Sequence, residues 1–256
     1  MSQIKLQKKL ERAAKDGNIE ELQLLITMTD PKCNDSSALS FAAYYGHTKC
    51  VELLIPVSNP KASGSWALQQ ASSKGRSECV KLLIPVSDPA IEDSLALYCA
   101  AHYGHSDCVD LLIPVSNPQD VGGRALETAA ENGRVECLRK LIDASGMEQC
   151  DPDLFFKVVG RGHVECVKLL IPFCTPETHH KALEVACADE KISLVELLFD
   201  LGDPTRILPY AYEYFSFVKS HVPPILEYLE RKIAEYQHQI LLKEVGSEGV
   251  TKTRKM

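Results

Sequence analysis

Six glycines, Gly17, Gly46, Gly75, Gly104, Gly133 and Gly162, stand 29 residues apart, and this spacing constrains the fold more than any other feature of the chain. The residues around them keep the same register. Alanine pairs precede the glycine at Ala13-Ala14, Ala42-Ala43, Ala100-Ala101 and Ala129-Ala130, and Cys50, Cys79, Cys108, Cys137 and Cys166 each follow it by four positions. A fixed period of roughly 20 to 50 residues marks stacked supersecondary units that bury their apolar faces only against their neighbours. The sequence therefore predicts an elongated repeat array, whose core grows with the number of units.

Within each unit the pattern reads as two short helices with a turn between them. Around Gly46, the residues Ala38, Leu39, Ala42 and Ala43 follow the i, i+3, i+4 spacing of one helical face. Glycine ends that helix in a left-handed conformation, and Cys50, Val51, Leu53 and Leu54 carry the apolar stripe of a second one. Proline lacks an amide proton and disfavours helical geometry in the residue before it, so the second helix is expected to stop at Pro56, Pro85, Pro114 and Pro172. The linking segments carry Asn-Pro and Ser-Gly turn chemistry, and Ser36, Ser65 and Ser94 are placed to cap the next first helix.

The motif A-L-x-x-A-A-x-x-G-H-x-x-C-V-x-L-L resembles the ankyrin repeat, in the order helix, Gly turn, helix, loop, over about residues 6 to 202. The resemblance implies an all-α solenoid of stacked helix-turn-helix repeats that binds a partner protein. Two departures stand out. The family period is usually about 33, and the T-P-L-H tetrad is replaced by Ser37-Ala38-Leu39-Ser40, Trp66-Ala67-Leu68-Gln69 and Leu95-Ala96-Leu97-Tyr98. The missing residues fall in the loop, so shortened β-hairpin fingers, or none, are expected. The 29-residue form with its L-L-I-P-V-S signature resembles short arrays of bacteria and viruses that live inside eukaryotic cells, which implies action inside a host cell.

Seven repeats are expected over residues 1–202, beginning with an N-terminal cap in which Lys5, Lys8, Lys9, Glu11 and Arg12 surround Leu6 and Leu10. The seventh is degenerate, with Glu190 in the glycine slot and Leu194 in the cysteine slot. Residues 203–243 read as a degenerate eighth unit or C-terminal helical cap. It carries the cluster Tyr210, Tyr212, Tyr214, Phe215 and Phe217, and Ile225, Leu229, Ile233, Tyr236 and Ile240 form one helical stripe. Residues 244–256 are polar and unpatterned, as a disordered tail would be.

Composition narrows the function. A chain with 45% hydrophobic and 25% charged residues has the make-up of an ordinary packed protein. A formal net charge of −7 argues against nucleic acid, whose phosphates require a basic surface. The opening MSQIKLQKKLERAAKDG holds no apolar export signal, and no apolar run nears the roughly 18 residues of a membrane span. The chain is thus expected neither to be exported by a visible signal nor to enter a membrane.

Five of the ten cysteines occupy one slot in successive repeats. Stacked repeats hold equivalent atoms about 10 Å apart, whereas a disulfide needs Cα atoms within about 7 Å, so these five act as small apolar core residues. So many free thiols fit a reducing, cytoplasmic setting. His47, His105 and His163 follow a turn glycine and are expected to bond the neighbouring loop. His179-His180 is read as a loop pair with no ligand partner at metal spacing. No phosphate cradle or nucleophile elbow is present. The chain is accordingly read as a non-enzyme with no catalytic residue, no metal and no cofactor.

Specificity should lie in what differs between repeats, and the first helix differs most. Just before the glycine stand Tyr45, Lys74, Tyr103 and Arg161, and beside them Phe41, Tyr44, Tyr98 and His102. In the ankyrin family this face of the first helix is concave. Trp66, the single tryptophan, opens its helix where Ser37, Leu95 and Arg124 open theirs. Aromatic and arginine side chains anchor protein interfaces, but they can equally seal one repeat to the next. The favoured function is a protein-binding scaffold using this stripe. The alternatives are an architectural subunit that assembles through its end surfaces, or an activity seated in the C-terminal segment.

Overall fold

The computed structural model describes residues 3–117, 120–189 and 191–201, together with residues 231, 232, 234, 235 and 238. Glu190, the aromatic cluster Tyr210 to Phe217 and the tail at 244–256 lie outside the described residues, as does residues 203–243 apart from those five, which are helical. The chain divides into two compact units, residues 1–148 and 149–256. Among the described residues there is no strand and hence no β-hairpin finger.

The first unit alternates first and second helices. They are α1 (Gln3–Asp16), α2 (Ile19–Ile26), α3 (Cys33–Tyr45), α4 (Thr48–Leu54), α5 (Ala62–Ser73), α6 (Ser77–Leu83), α7 (Ile91–Tyr103), α8 (Ser106–Leu112), α9 (Leu126–Glu131) and α10 (Val135–Ser145). The first helices α1, α3, α5 and α7 pack side by side in one layer, and α2, α4, α6, α8 and α10 form the layer behind. Leu39, Leu68, Leu97 and Leu126 fill the seam between the layers, each at most 1% exposed. The buried alanine pairs let adjacent first helices approach closely. In the third repeat Ser72 takes an alanine's place and satisfies its hydroxyl by donating to the Leu68 carbonyl at 2.8 Å. Cys50, Cys79, Cys108 and Cys137 are buried free thiols, as small core residues should be.

Helix ends follow the proline pattern with one refinement. α4, α6 and α8 stop at Leu54, Leu83 and Leu112, and each Ile-Pro-Val that follows continues as a single 3-10 turn rather than a loop. Proline tolerates this because its missing N–H falls at the start of the turn, where no partner is needed. In the fifth repeat Asp143 stands where proline stands elsewhere, and α10 runs on to Ser145 before Gly146 ends it at φ +62°.

The loops hold the main correction. Residues Asn34-Asp35-Ser36, Ser63-Gly64-Ser65 and Glu92-Asp93-Ser94 are each a turn of left-handed backbone, with φ between 46° and 65°. For residues with a Cβ this costs roughly 1–2 kcal/mol each. Ser36, Ser65 and Ser94 do not cap their own helices. Their hydroxyls accept from the backbone N–H of Asn59, Asp88 and Asn117 in the next loop, at 2.9, 2.9 and 3.1 Å. Each serine is buried and thereby staples one loop to the next, which helps offset the backbone strain.

The second unit holds α11 (Pro152–Arg161), α12 (Val164–Leu170), α13 (Pro176–Ala188) and α14 (Ile192–Leu201). Its first helices begin conventionally. Asp151 and Thr175 accept from the N–H of Asp153 and Thr178, each followed by proline at the first helical position. Val158 and Val159 stand in the alanine-pair slots, and Cys166 and Leu194 in the cysteine slots, all fully buried. His179 and His180 sit within α13 and not in a loop, because Thr175-Pro176 starts the helix ahead of them. His179 Nε2 donates to the Ile171 carbonyl at 3.3 Å.

Candidate functional site

The residues after Gly46, Gly75, Gly104 and Gly133 fix the first helices in place. His47 and His105 donate from Nε2 to the carbonyls of Lys15 and Ser73, at 2.9 and 3.1 Å. Arg76 and Arg134 donate from Nε to the carbonyls of Tyr44 and His102, at 3.3 and 3.0 Å. Every partner lies 32 residues back, two before the preceding glycine. His47 and His105 thus bond the neighbouring repeat, at the last turn of its first helix and not in its loop, and arginine does the same work in alternate repeats.

On this frame α3, α5 and α7 present eight of the nine stripe residues. Phe41, Tyr45, Trp66 and Tyr103 are 39, 38, 47 and 50% exposed, and among the described residues they are the only large aromatic side chains so open to solvent. Tyr44, Tyr98 and His102 are half-buried. Lys74 is exposed and holds its ammonium 4.8 Å from the Tyr44 ring centre and 5.9 Å from that of Tyr103, which links three consecutive first helices. Lys15 sits 5.5 Å from the Tyr45 ring. Such contacts are worth about 0.5–1 kcal/mol at exposed sites, enough to set side-chain directions. Arg161, the ninth residue, is exposed at the end of α11 in the second unit.

The stripe contains two clusters. In one, Tyr98 stacks on His102 at 5.8 Å, and His102 meets Tyr103 edge-on at 4.8 Å. His102 Nδ1 also lies 3.1 Å from the Thr128 hydroxyl, so this ring seals one repeat to the next. In the other, Phe41, Tyr44, Tyr45 and Trp66 line an open cavity of about 410 Å³ between α3 and α5. Asn34, Asp35, Ser37, Ser40, Ser63 and Gln70 complete the lining. Glu11 supports its rim by accepting from Asn34 Nδ2 at 2.9 Å and from the Ser37 hydroxyl at 2.6 Å. Asn34, Asp35 and Ser63 join the site only through the fold. They belong to the left-handed turns, and the only sequence signal for them is the serine that closes each turn.

A family model described as ankyrin repeats matches three copies, over residues 10–93 and 86–154. The chain belongs to the ankyrin repeat family. Ankyrin repeats are generally protein–protein interaction modules. The crystal structure of the human ASB11 ankyrin repeat domain resembles the chain at 24% identity, with a TM-score of 0.53, over 64% of this chain and 82% of that one. At that identity the likeness establishes the fold alone. No curated protein matches the sequence. Among the described residues no helix is long and apolar enough to cross a membrane, and no group of three or more His, Cys, Asp or Glu side chains could hold a metal ion.

Proposed function

We propose that this ankyrin-repeat protein is a non-enzymatic scaffold that captures a partner protein on the first-helix face. The observation that carries this reading is the exposure of Phe41, Tyr45, Trp66 and Tyr103 on three adjacent first helices. A folded chain gains by burying such rings, and here they are held in solvent on a rigid frame. Rigid aromatic groups offer a large contact area at little ordering cost, which favours association. Lys74 and the half-buried Tyr44, Tyr98 and His102 form the base of that face, and Arg161 extends the same sequence register into the second unit. The ten free thiols support a reducing, cytoplasmic setting.

The test compares wild type with a Tyr45→Ala, Lys74→Ala, Tyr103→Ala variant of unchanged helicity, in affinity capture from native lysate with identification by mass spectrometry. A partner retained by wild type and lost by the variant is expected. Equal capture of the same partner by both would overturn the assignment of the face.

A second reading, assembly through an end surface, is favoured by one feature of the first repeat. Ile4 and Met28 are 71 and 49% exposed beside a cavity of about 680 Å³. Sedimentation analysis across protein concentration separates the two readings, since end-on assembly makes the mass rise with concentration.

A further inference from the structure

The cavity between α3 and α5 has a counterpart 58 residues further along the chain, and there the equivalent site is filled from within. Asp93 stands in register with Asp35, Arg124 with Trp66, and Tyr98 with Ser40. At the later position Arg124 places its guanidinium carbon 5.1 Å from the Tyr98 ring centre and donates from Nη1 to Asp93 Oδ2 at 3.2 Å. Carboxylate, planar cation and aromatic face form one closed set.

At the earlier position the acid remains and the cation is gone. The Asp35 carboxylate is exposed and forms no hydrogen bond or ion pair among the described residues. Trp66 occupies the place of the arginine and supplies an aromatic face. Ser40, in the place of Tyr98, leaves open the volume that a second ring would occupy. Asp35, Trp66 and Ser40 all line the cavity. No lysine or arginine lines the cavity, and Lys15 and Lys74 sit on Tyr45 and Tyr44 instead. With Glu11 bonded to the rim and a formal net charge of −7, the surroundings favour a positive visitor.

We propose that this cavity binds an arginine side chain of the partner protein, with the guanidinium flat on Trp66 and hydrogen-bonded to Asp35. The proposal rests on the first-helix face being the binding surface and specifies what it recognises there. Arginine suits the site better than lysine. Its planar, weakly hydrated fork stacks on an indole and meets a carboxylate with two parallel hydrogen bonds, whereas an ammonium is a strongly hydrated point charge.

Trp66 is the only tryptophan, so its fluorescence reports on the site directly. The whole protein is titrated with the acetylated, amidated tripeptide Gly-Arg-Gly, and with versions carrying lysine or citrulline, the uncharged isostere of arginine. The arginine peptide is expected to give a saturable change with millimolar or tighter affinity. It should bind at least about fivefold more tightly than either control. Asp35→Asn is expected to bring arginine down to the citrulline level without loss of helicity, since Asp35 holds nothing else in place.

No change with arginine, equal binding of citrulline or lysine, or unaltered arginine affinity in Asp35→Asn would each overturn the proposal. None of these outcomes bears on partner capture through Tyr45, Lys74 and Tyr103, so the two readings fail separately.

Discussion

Arg134 lies against Gly104, and this contact adds a second reason for glycine to that of the left-handed backbone. Gly104 has φ +84°, and an added Cβ would stand 2.8 Å from Arg134 Cδ. Gly146 has φ +62° with open space around it. Gly146→Ala should therefore carry the backbone term alone, about 1 kcal/mol, while Gly104→Ala should cost about 2–3 kcal/mol because Arg134 must also leave the His102 carbonyl. Urea unfolding of the two variants measures the difference, and equal losses would mean that the arginine moves aside freely. The glycine period and the bonding role of His47 and His105 were legible in the sequence. The equivalence of histidine and arginine was not, since the two share only a donor nitrogen at the right reach, and the shared carbonyl target becomes visible only when the repeats are stacked.

Second helices that meet an Ile-Pro pair end where a backbone donor runs out. α6 stops at Leu83 before Pro85, whereas α10 continues to Ser145 because Asp143 can donate where proline cannot. Pro85→Ala should let α6 run on through Ile84–Val86, which would be seen as Cα chemical shifts moving to α-helical values. It should also cost about 0.5–1 kcal/mol, because the unfolded chain gains freedom. Unchanged shifts would show that packing, and not proline, sets the helix end. The left-handed turns at 34–36, 63–65 and 92–94 could not be read in advance. Their sequences, Asn-Asp-Ser, Ser-Gly-Ser and Glu-Asp-Ser, share only the serine, and that serine resembles an ordinary cap. The hydroxyl turns outward because the following loop presents a backbone N–H that needs an acceptor, a demand made by a segment 23 residues away.

Across the whole molecule the repeated thiols make stability depend on pH. Burial, with help from neighbouring carboxylates, pushes the Cys108 and Cys166 thiols up to about 11, and burial likewise raises Cys137 to about 11. The unfolded thiol titrates near 8.5. The folded pKa is the higher one, so the neutral thiols contribute stability that is complete below about pH 8.5 and is lost as pH rises towards about 11. The loss should be roughly 1 kcal/mol per pH unit for each thiol in that window. Cys108→Ala removes one such group, so the gap in melting temperature between variant and wild type should shrink from pH 7 to pH 10. A constant gap would show that Cys108 does not titrate on unfolding.

The sequence by itself determined the period, the helix-turn-helix unit, the buried face and the family, because each follows from local backbone chemistry and apolar spacing that repeat every 29 residues. The tertiary structure alone decided where the variable side chains meet. It separated Tyr44, Tyr98 and His102, which face neighbouring repeats, from the exposed Phe41, Tyr45, Trp66 and Tyr103, and it brought Asp35 to the cavity that Trp66 lines. Those placements depend on contacts between residues some 30 positions apart, where the donor and space offered by one repeat choose the conformation of the next.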